Sequence, residues 1–420
     1  MAAASAAASV PGRYVVDYSG KFDRSAGAYM SYTPGSAGNR RQITMSYWVK
    51  RGNLDTQQVH FNSSSVYWQW QTTNKLQIWT DGSGHFEVNR IFRDPTAWYN
   101  LVFVFDTDQT VAGNRFKLYI NGEMVSDWTT YNAITLNTDL DITDTIVQRW
   151  PIHSTSTGFC MDGYLSQVCM LDGSVLDASS FGEFDDNGVW RPIDITGLTF
   201  GTTGYLLDFA DSSDLGKDVS GNDNDFTTTS MDANDQVIDT PTDNFCTLSP
   251  IDKSSNIPLS DGNLKATFTS SWYNVKTTFS LPSSGKWSFQ ITGSSALLFA
   301  GVIFASDDYS DVDTSGTDAL YYYGNTGIIA TYRTGSYVQQ TGLNEPTADE
   351  NMECLIDMDN KEIGIVIDDT VEMGTDAGLE IQDTMTKIFI QGLNNTMTVD
   401  FGQGGYVPSQ TGYKALSTAN

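Results

Sequence analysis

The chain has 420 residues and a formal charge of −28, with 23 basic side chains against 51 acidic ones. That balance excludes a protein that tracks a nucleic-acid backbone, which needs clustered Lys and Arg. The length suits two domains, each large enough to bury its own core. Only nine of the acidic residues are Glu and the other 42 are Asp, beside 37 Gly and 11 Pro. Asp competes for backbone hydrogen bonds in turns and caps, whereas Glu favours helix, so the composition points to a loop-rich all-β chain. The acidity itself reads first as solubility, with divalent-cation binding or basic partners as the alternatives.

The opening run, MAAASAAASVPGR, lacks a basic start and a Leu-rich apolar stretch. It therefore reads as a flexible or docking arm over residues 1–12 rather than a signal peptide. Strand signals follow in quick succession. Residues 42–49 (QITMSYWV) alternate polar and apolar positions, with Ile43, Met45, Tyr47 and Val49 on one face. Strands are predicted at 66–70, 75–79, 86–91, 98–105, 115–120 and 123–125. Asn121–Gly122, between the last two, is the strongest short-range hairpin signal, because both positions tolerate positive φ. Further strands are predicted at 145–149, 158–171 and 205–209, and a short helix near 174–184.

A polar run rich in Asp and Asn covers 210–224, and 227–250 are rich in Thr and Asp with two prolines. Residues 211–250 read as the connection between two domains, 13–210 and 251–420. In the second, strands are predicted at 265–269, 276–280, 286–292, 297–304, 319–323, 327–332, 352–358, 362–367, 386–393 and 397–401. No helical stretch of a dozen residues separates strands, so a parallel α/β fold is not expected. No segment approaches the roughly 18 apolar residues of a membrane helix, and no membrane insertion is expected. Cys160, Cys169, Cys246 and Cys354 form no Cys-x-x-Cys pair and read as free buried thiols.

The segments SYWVKRG (46–52), AWYNLVFVFDT (97–107), FKLYINGEMV (116–125) and MDGYLSQVCMLDG (161–173) resemble, in order, the laminin-G/concanavalin A-like superfamily, with Trp48, Trp98, Tyr119, Asn121, Gly122 and Gly163 as the matching positions. GKWSFQIT (285–292), GVIFAS (301–306), LIDMDNKEIGIVID (355–368) and VDFGQGGY (399–406) resemble a SPRY domain, although Gln290 stands for the usual Glu and Asp400 for the usual Asn. These resemblances imply two antiparallel β-sandwiches in succession. The runs DTPTDNFCTLSP (239–250) and PSQTGYKALSTAN (408–420) resemble proteins common in marine phage genomes. That resemblance implies a structural protein of a tailed-phage virion: a fibre, spike or decoration protein, made in the host cytoplasm. Its implied partners are other virion proteins, further copies of itself and host-surface glycans or proteins.

The chemistry in the sequence is sparse. His60, His85 and His153 are widely separated, and neither His-Glu-x-x-His nor Gly-x-Ser-x-Gly occurs. No catalytic residue is assigned and no enzyme is expected. A virion glycosidase or depolymerase is the alternative, because concanavalin-like folds host such enzymes. The nearest approach to the required carboxylate pair is Glu183-Phe184-Asp185, which reads as a loop or helix end. A purely scaffolding capsid or tail subunit is the third reading. Calcium is the one cofactor considered, at Asp106 and Asp108 after a strand and at Asp218, Asn222 and Asp223 in DVSGNDND, with turn chemistry as the competing explanation. For ligand binding, aromatic faces suited to sugars are assigned to Trp68 and Trp70 on one strand face and to Tyr321 and Tyr323 on another. If the carboxylate pair were catalytic, Glu183→Gln would abolish polysaccharide cleavage with the fold intact. An assay of wild type that finds no cleavage removes the enzyme alternative.

Overall fold

The structure is a computed structural model that describes residues 13–154, 157–305, 318–333 and 336–419. The expected arm at 1–12 lies outside the described residues. The chain divides into two compact units, one ending at Asn244 and the other beginning at Phe245. Both are all-β and antiparallel, apart from one short parallel pair near the C-terminus.

In the first unit the strands run β1 (Ser19–Phe22), β2 (Tyr29–Tyr32), β3 (Gln42–Arg51), β4 (Gln58–Ser63), β5 (Val66–Trp70), β6 (Leu76–Trp79), β7 (His85–Val88), β8 (Trp98–Asp106) and β9 (Phe116–Ile120). They continue as β10 (Glu123–Met124), β11 (Trp128–Asn132), β12 (Gln148–Trp150), β13 (Gly163–Asp172), β14 (Gly182–Phe184), β15 (Trp190–Pro192), β16 (Tyr205–Leu207), β17 (Thr227–Thr229) and β18 (Gln236–Val237). One sheet has the order β10-β9-β8-β3-β13-β1-β18, with β16 also on β13. The other has the order β11-β7-β6-β5-β4-β12-β2-β17. Asn121 and Gly122 both take positive φ, as the β9–β10 hairpin requires.

The two sheets close on an aromatic core. Ile43, Met45, Tyr47 and Val49 of β3 face Val66, Trp68 and Trp70 of β5 across it. Trp68 stacks on Phe61 of its own sheet at 4.6 Å and on Phe103 of the opposite sheet at 4.4 Å. The outward face of the first sheet is also covered. The excursion after β13 lays Ala178, Phe181, Trp190, Ile195 and Phe200 over Trp48, Trp98, Val102 and Tyr164. Trp190 donates its indole N–H to Asn100 Oδ1 at 3.0 Å. Where a helix is expected near 174–184, the structure has a single 3-10 turn, Ala178–Ser180, capped by Asp177, and then β14. The cap signal is present, but no apolar periodicity extends it.

The polar stretch 211–250 is not a connector. Leu215 and Phe226 enter the core, β17 pairs with β2, and β18 pairs with β1. Asp239 is fully buried: Lys50 Nζ donates to its Oδ2 at 2.6 Å and Trp98 Nε1 to its Oδ1 at 3.0 Å. Lys50 Nζ also donates to Asn244 Oδ1 at 2.7 Å. The polarity that looks like a linker is largely turn chemistry and a buried clasp that returns the chain to β1 and β3. The far end of the stretch belongs to the second unit, whose first strand starts at Leu248.

That unit contains β19 (Leu248–Lys253), β20 (Leu259–Ser260), β21 (Lys265–Phe268), β22 (Tyr273–Thr277), β23 (Lys286–Gly293), β24 (Leu298–Phe304), β25 (Ala319–Tyr323) and β26 (Ile328–Arg333). Then come β27 (Ser336–Gln340), β28 (Asn351–Asp357), β29 (Glu362–Ile367), β30 (Thr370–Met373), β31 (Met385–Gly392), β32 (Asn395–Asp400) and β33 (Tyr413–Lys414). Its sheets have the orders β19-β22-β31-β24-β25-β26-β27 and β20-β21-β32-β23-β28-β29-β30, with β33 parallel to β23. Their inner faces share one apolar core that includes Phe289, Val302, Tyr322, Ile356, Ile388 and Phe401.

Asp239→Ala leaves the Lys50 ammonium buried without its carboxylate. Removing one partner of such a pair costs roughly 3–5 kcal/mol. Denaturant unfolding of the variant is expected to show a loss of that order, and a loss under about 1 kcal/mol would mean the clasp is dispensable.

Candidate functional site

The residues assigned to ligand binding from the sequence sit mostly inside. Trp68 and Trp70 are 0% exposed, in the inter-sheet core. The strand alternates as expected, but its Trp face is the one that packs the opposite sheet. Tyr321 is likewise 0% exposed, within a cluster with Phe299, Ile303 and Phe389. Tyr323 is half-buried and stacks on Phe299 with ring centroids 4.2 Å apart. Both faces of β25 are packed, because Tyr322 fills the main core.

The cation candidates lie in turns and beside basic or amide donors, while Asp106 Oδ1 is buried without a partner. Asp218 accepts from the backbone N–H of Leu206, Ser220 and Asn224, each at 2.9 Å, and from Ser220 Oγ at 2.8 Å. Asn222 donates to the carbonyls of Gly201 and Gly204 at 2.7 and 2.9 Å, and Asp223 takes a left-handed turn at φ 57°. This is turn chemistry, and both Asp218 carboxylate oxygens are already engaged. Asp108 pairs with Arg41 at 3.3 Å, and Asp106 Oδ2 accepts from Gln109 at 2.6 Å. Among the described residues no group of three or more His, Cys, Asp or Glu is arranged to hold a metal ion.

Of the two carboxylates Glu183 and Asp185, the second is already engaged by several donors. Asp185 accepts from Arg13 at 2.8 Å, from Arg191 at 3.2 Å and from the N–H groups of Asn187 and Val189. Those donors, the Val189 N–H foremost, hold its carboxyl down to about 2. A catalytic acid needs the opposite shift. Asp185 instead ties together the β14–β15 hairpin.

What the structure presents is the outward face of the β5-containing sheet. Because Trp68 and Trp70 point inward, Tyr67 and Gln69 lie on the outward side, Tyr67 half-buried and Gln69 covered by its neighbours at 2% exposure. The strand register then builds a row across all eight strands: Thr227, Ser31, Arg149, Asn62, Tyr67, Trp79, His85 and Asn132 are successive cross-strand partners. Tyr67, Trp79, His85 and Arg149 stay partly exposed, Trp79 at 36%. Trp79 and His85 stack face to face with centroids 3.7 Å apart. Tyr67 lies 6.4 Å from Trp79 on its other side, at an interplanar angle of 24°. His153 meets the Tyr67 ring edge-on at 5.1 Å, and the exposed Phe159 lies 6.2 Å beyond it.

Beside this aromatic row runs a ladder of amides. Gln57 donates to Gln69 Oε1 at 2.7 Å, Gln69 to Gln77 Oε1 at 3.1 Å, and Gln77 to Glu87 Oε2 at 3.5 Å. Trp79 Nε1 also donates to Gln77 Oε1, at 3.1 Å, which fixes the indole along its strand. Burial holds the His85 imidazole below its ordinary value, against the pull of Glu87, so it is neutral at neutral pH. The face thus joins upright aromatic rings to amide donors and acceptors and one guanidinium. That mixture offers apolar ring surface beside hydrogen-bond donors and acceptors.

Residues 24–168, fewer than half of the chain, match the family model described as the Concanavalin A-like lectin/glucanases superfamily, so the first unit carries a laminin-G-like domain. No curated protein matches the chain. Among solved structures, domains LG4-5 of the mouse laminin alpha1 chain are similar at 9% identity, over 92% of this chain and 84% of that one, with a TM-score of 0.30. The SPRY domain of human HERC1 is similar at 13% identity over 36% of this chain and 96% of that one, with a TM-score of 0.30. A candidate carbohydrate binding protein from Bacteroides ovatus is similar at 14% identity over 51% and 59% of the two chains, with a TM-score of 0.38.

The opposite roles of neighbouring aromatics give a direct test. Trp68→Ala opens the core and is expected to cost roughly 3–5 kcal/mol. Trp79→Ala removes a surface ring and should stay within about 0.5 kcal/mol of wild type. Unfolding curves of the two variants that coincide would refute this assignment of faces.

Proposed function

We propose that this chain is a non-catalytic structural and binding subunit of a tailed-phage particle, and that the open sheet face of its first unit binds glycans of the host surface. The observation that carries the glycan reading is the cross-strand row Tyr67–Trp79–His85 beside the Gln57–Gln69–Gln77 ladder. Neighbouring strands lie about 4.8 Å apart, so the three rings span about 10 Å, a length suited to a short run of sugar residues. Sugar C–H groups pack against the exposed ring surface while hydroxyls exchange hydrogen bonds with the amides. The other outward face of this sandwich is covered by the excursion that carries Phe181 and Trp190, which leaves this one for a ligand. The particle assignment draws on the resemblance of residues 239–250 and 408–420 to phage proteins, and it implies virion partners and further copies of the chain.

Glycan-array screening of the purified chain, followed by calorimetry on any glycan retained, tests the binding. Tyr67→Ala and Trp79→Ala should each weaken binding at least tenfold, about 1.4 kcal/mol, with the thermal midpoint unchanged. Binding untouched by either substitution would move the site elsewhere. Mass spectrometry of purified particles tests the second part: a chain found in infected cells but absent from particles is not a virion protein.

A further inference from the structure

Arg51 ends β3 on the inner face of its sheet, where a guanidinium meets the apolar core. It is 1% exposed. Its Nη1 donates to Asn74 Oδ1 at 3.1 Å and to the Phe92 carbonyl, and its Nη2 to the Asn53 carbonyl at 3.3 Å. All of these acceptors are neutral. Among the described residues no carboxylate forms an ion pair with it. Asp55 is reached only through Asn74, whose Nδ2 donates to Asp55 Oδ1 at 2.6 Å. Burial draws the guanidinium down to about 9, so it remains a buried cation at neutral pH. Arg51 Nε is buried and has no partner.

Two neighbours share that condition. Trp70 lies under the guanidinium, 4.9 Å from ring centroid to Cζ, and His60 packs on Trp70 with centroids 4.6 Å apart. Both are 0% exposed, and Trp70 Nε1 and His60 Nε2 are buried without partners. The His60 tautomer follows from its other nitrogen. Tyr47 accepts from Trp68 Nε1 at 2.9 Å, so its own hydroxyl proton goes to His60 Nδ1, 2.7 Å away. His60 is kept neutral by burial and by the Arg51 charge, and its one ring proton therefore sits on Nε2. All three orphaned atoms are N–H donors, on Trp70 and on the two side chains that pack against it.

We propose that Arg51, His60 and Trp70 hold one small monovalent anion, chloride in ordinary salt, between the sheets of the first unit. A water accepts as well, but it carries two protons of its own, and the three orphaned atoms offer it no acceptor. An anion takes every donor and also neutralises the buried guanidinium, which is otherwise costly. The site is distinct from the outward face, since Trp70 points to the opposite side of β5.

Crystals of the full chain grown with sodium bromide in place of chloride test the site. The expected result is an anomalous peak at the bromine edge within hydrogen-bond reach of Arg51 Nε, His60 Nε2 and Trp70 Nε1. Non-anomalous, water-sized density there, or none, overturns the proposal. In solution, the thermal midpoint at constant ionic strength should rise as gluconate is exchanged for chloride. Trp70→Phe keeps a ring but removes one donor, and it should raise the chloride concentration for half the effect at least tenfold. A wild-type midpoint indifferent to chloride, with a bromide peak in the crystal, would mean binding at crystal concentration only and also overturns it.

Discussion

Strict alternation along β5 is the constraint on which the first unit turns. Once Trp68 is wedged between Phe61 and Phe103, the residues on either side of it have no choice of face. The same pleat that buries Trp68 and Trp70 sends Tyr67 and Gln69 outward. Register then aligns Tyr67 with Trp79 and Trp79 with His85. Core and candidate binding face are therefore two consequences of one packing decision, and a slip of one residue would exchange them.

The sandwich is also held by polar groups placed where water cannot reach. Lys50 and Asp239 meet across 189 residues of chain, and the clasp brings the returning segment home beside β1. Such a pair contributes less net stability than its geometry suggests, because both charges were drawn out of water. Its clearer effect is on specificity: an unpaired Lys50 at that depth is costly, so the segment ending at Asn244 has one favourable place to go. Arg51, the next residue along β3, points the other way, toward the inter-sheet core. It meets Trp70 and neutral acceptors there rather than a carboxylate.

The two outward faces of the first sandwich have different fates. One is roofed by the excursion through Phe181, Trp190 and Phe200, where Trp190 is bonded to Asn100. Gly122 sits under the same indole, so close that a Cβ there would lie 2.4 Å from the ring. The other face keeps its aromatics partly in solvent and stiffens them by mutual stacking and by the amide ladder. Rings held in this way lose little further freedom on meeting a ligand.

Much of the architecture was legible in the sequence. The strand at 66–70 and the strands at 319–323 and 362–367 carry the bounds read from their alternation, and Asn121–Gly122 makes the expected hairpin. The preponderance of Asp over Glu appears as turn caps such as Asp177, Asp218 and Asp232. Alternation reveals two faces but does not say which is inner. For β5 the larger aromatics suggested a ligand platform, and they turned out to be the core. Polarity likewise does not separate a linker from a buried clasp, because Asp239 looks like any other Asp until Lys50 and Trp98 are placed around it. The sequence by itself determined the period of each strand, since that is a local property of the chain. Only the tertiary structure decided which side faces the other sheet, because that choice depends on partners dozens to hundreds of residues away.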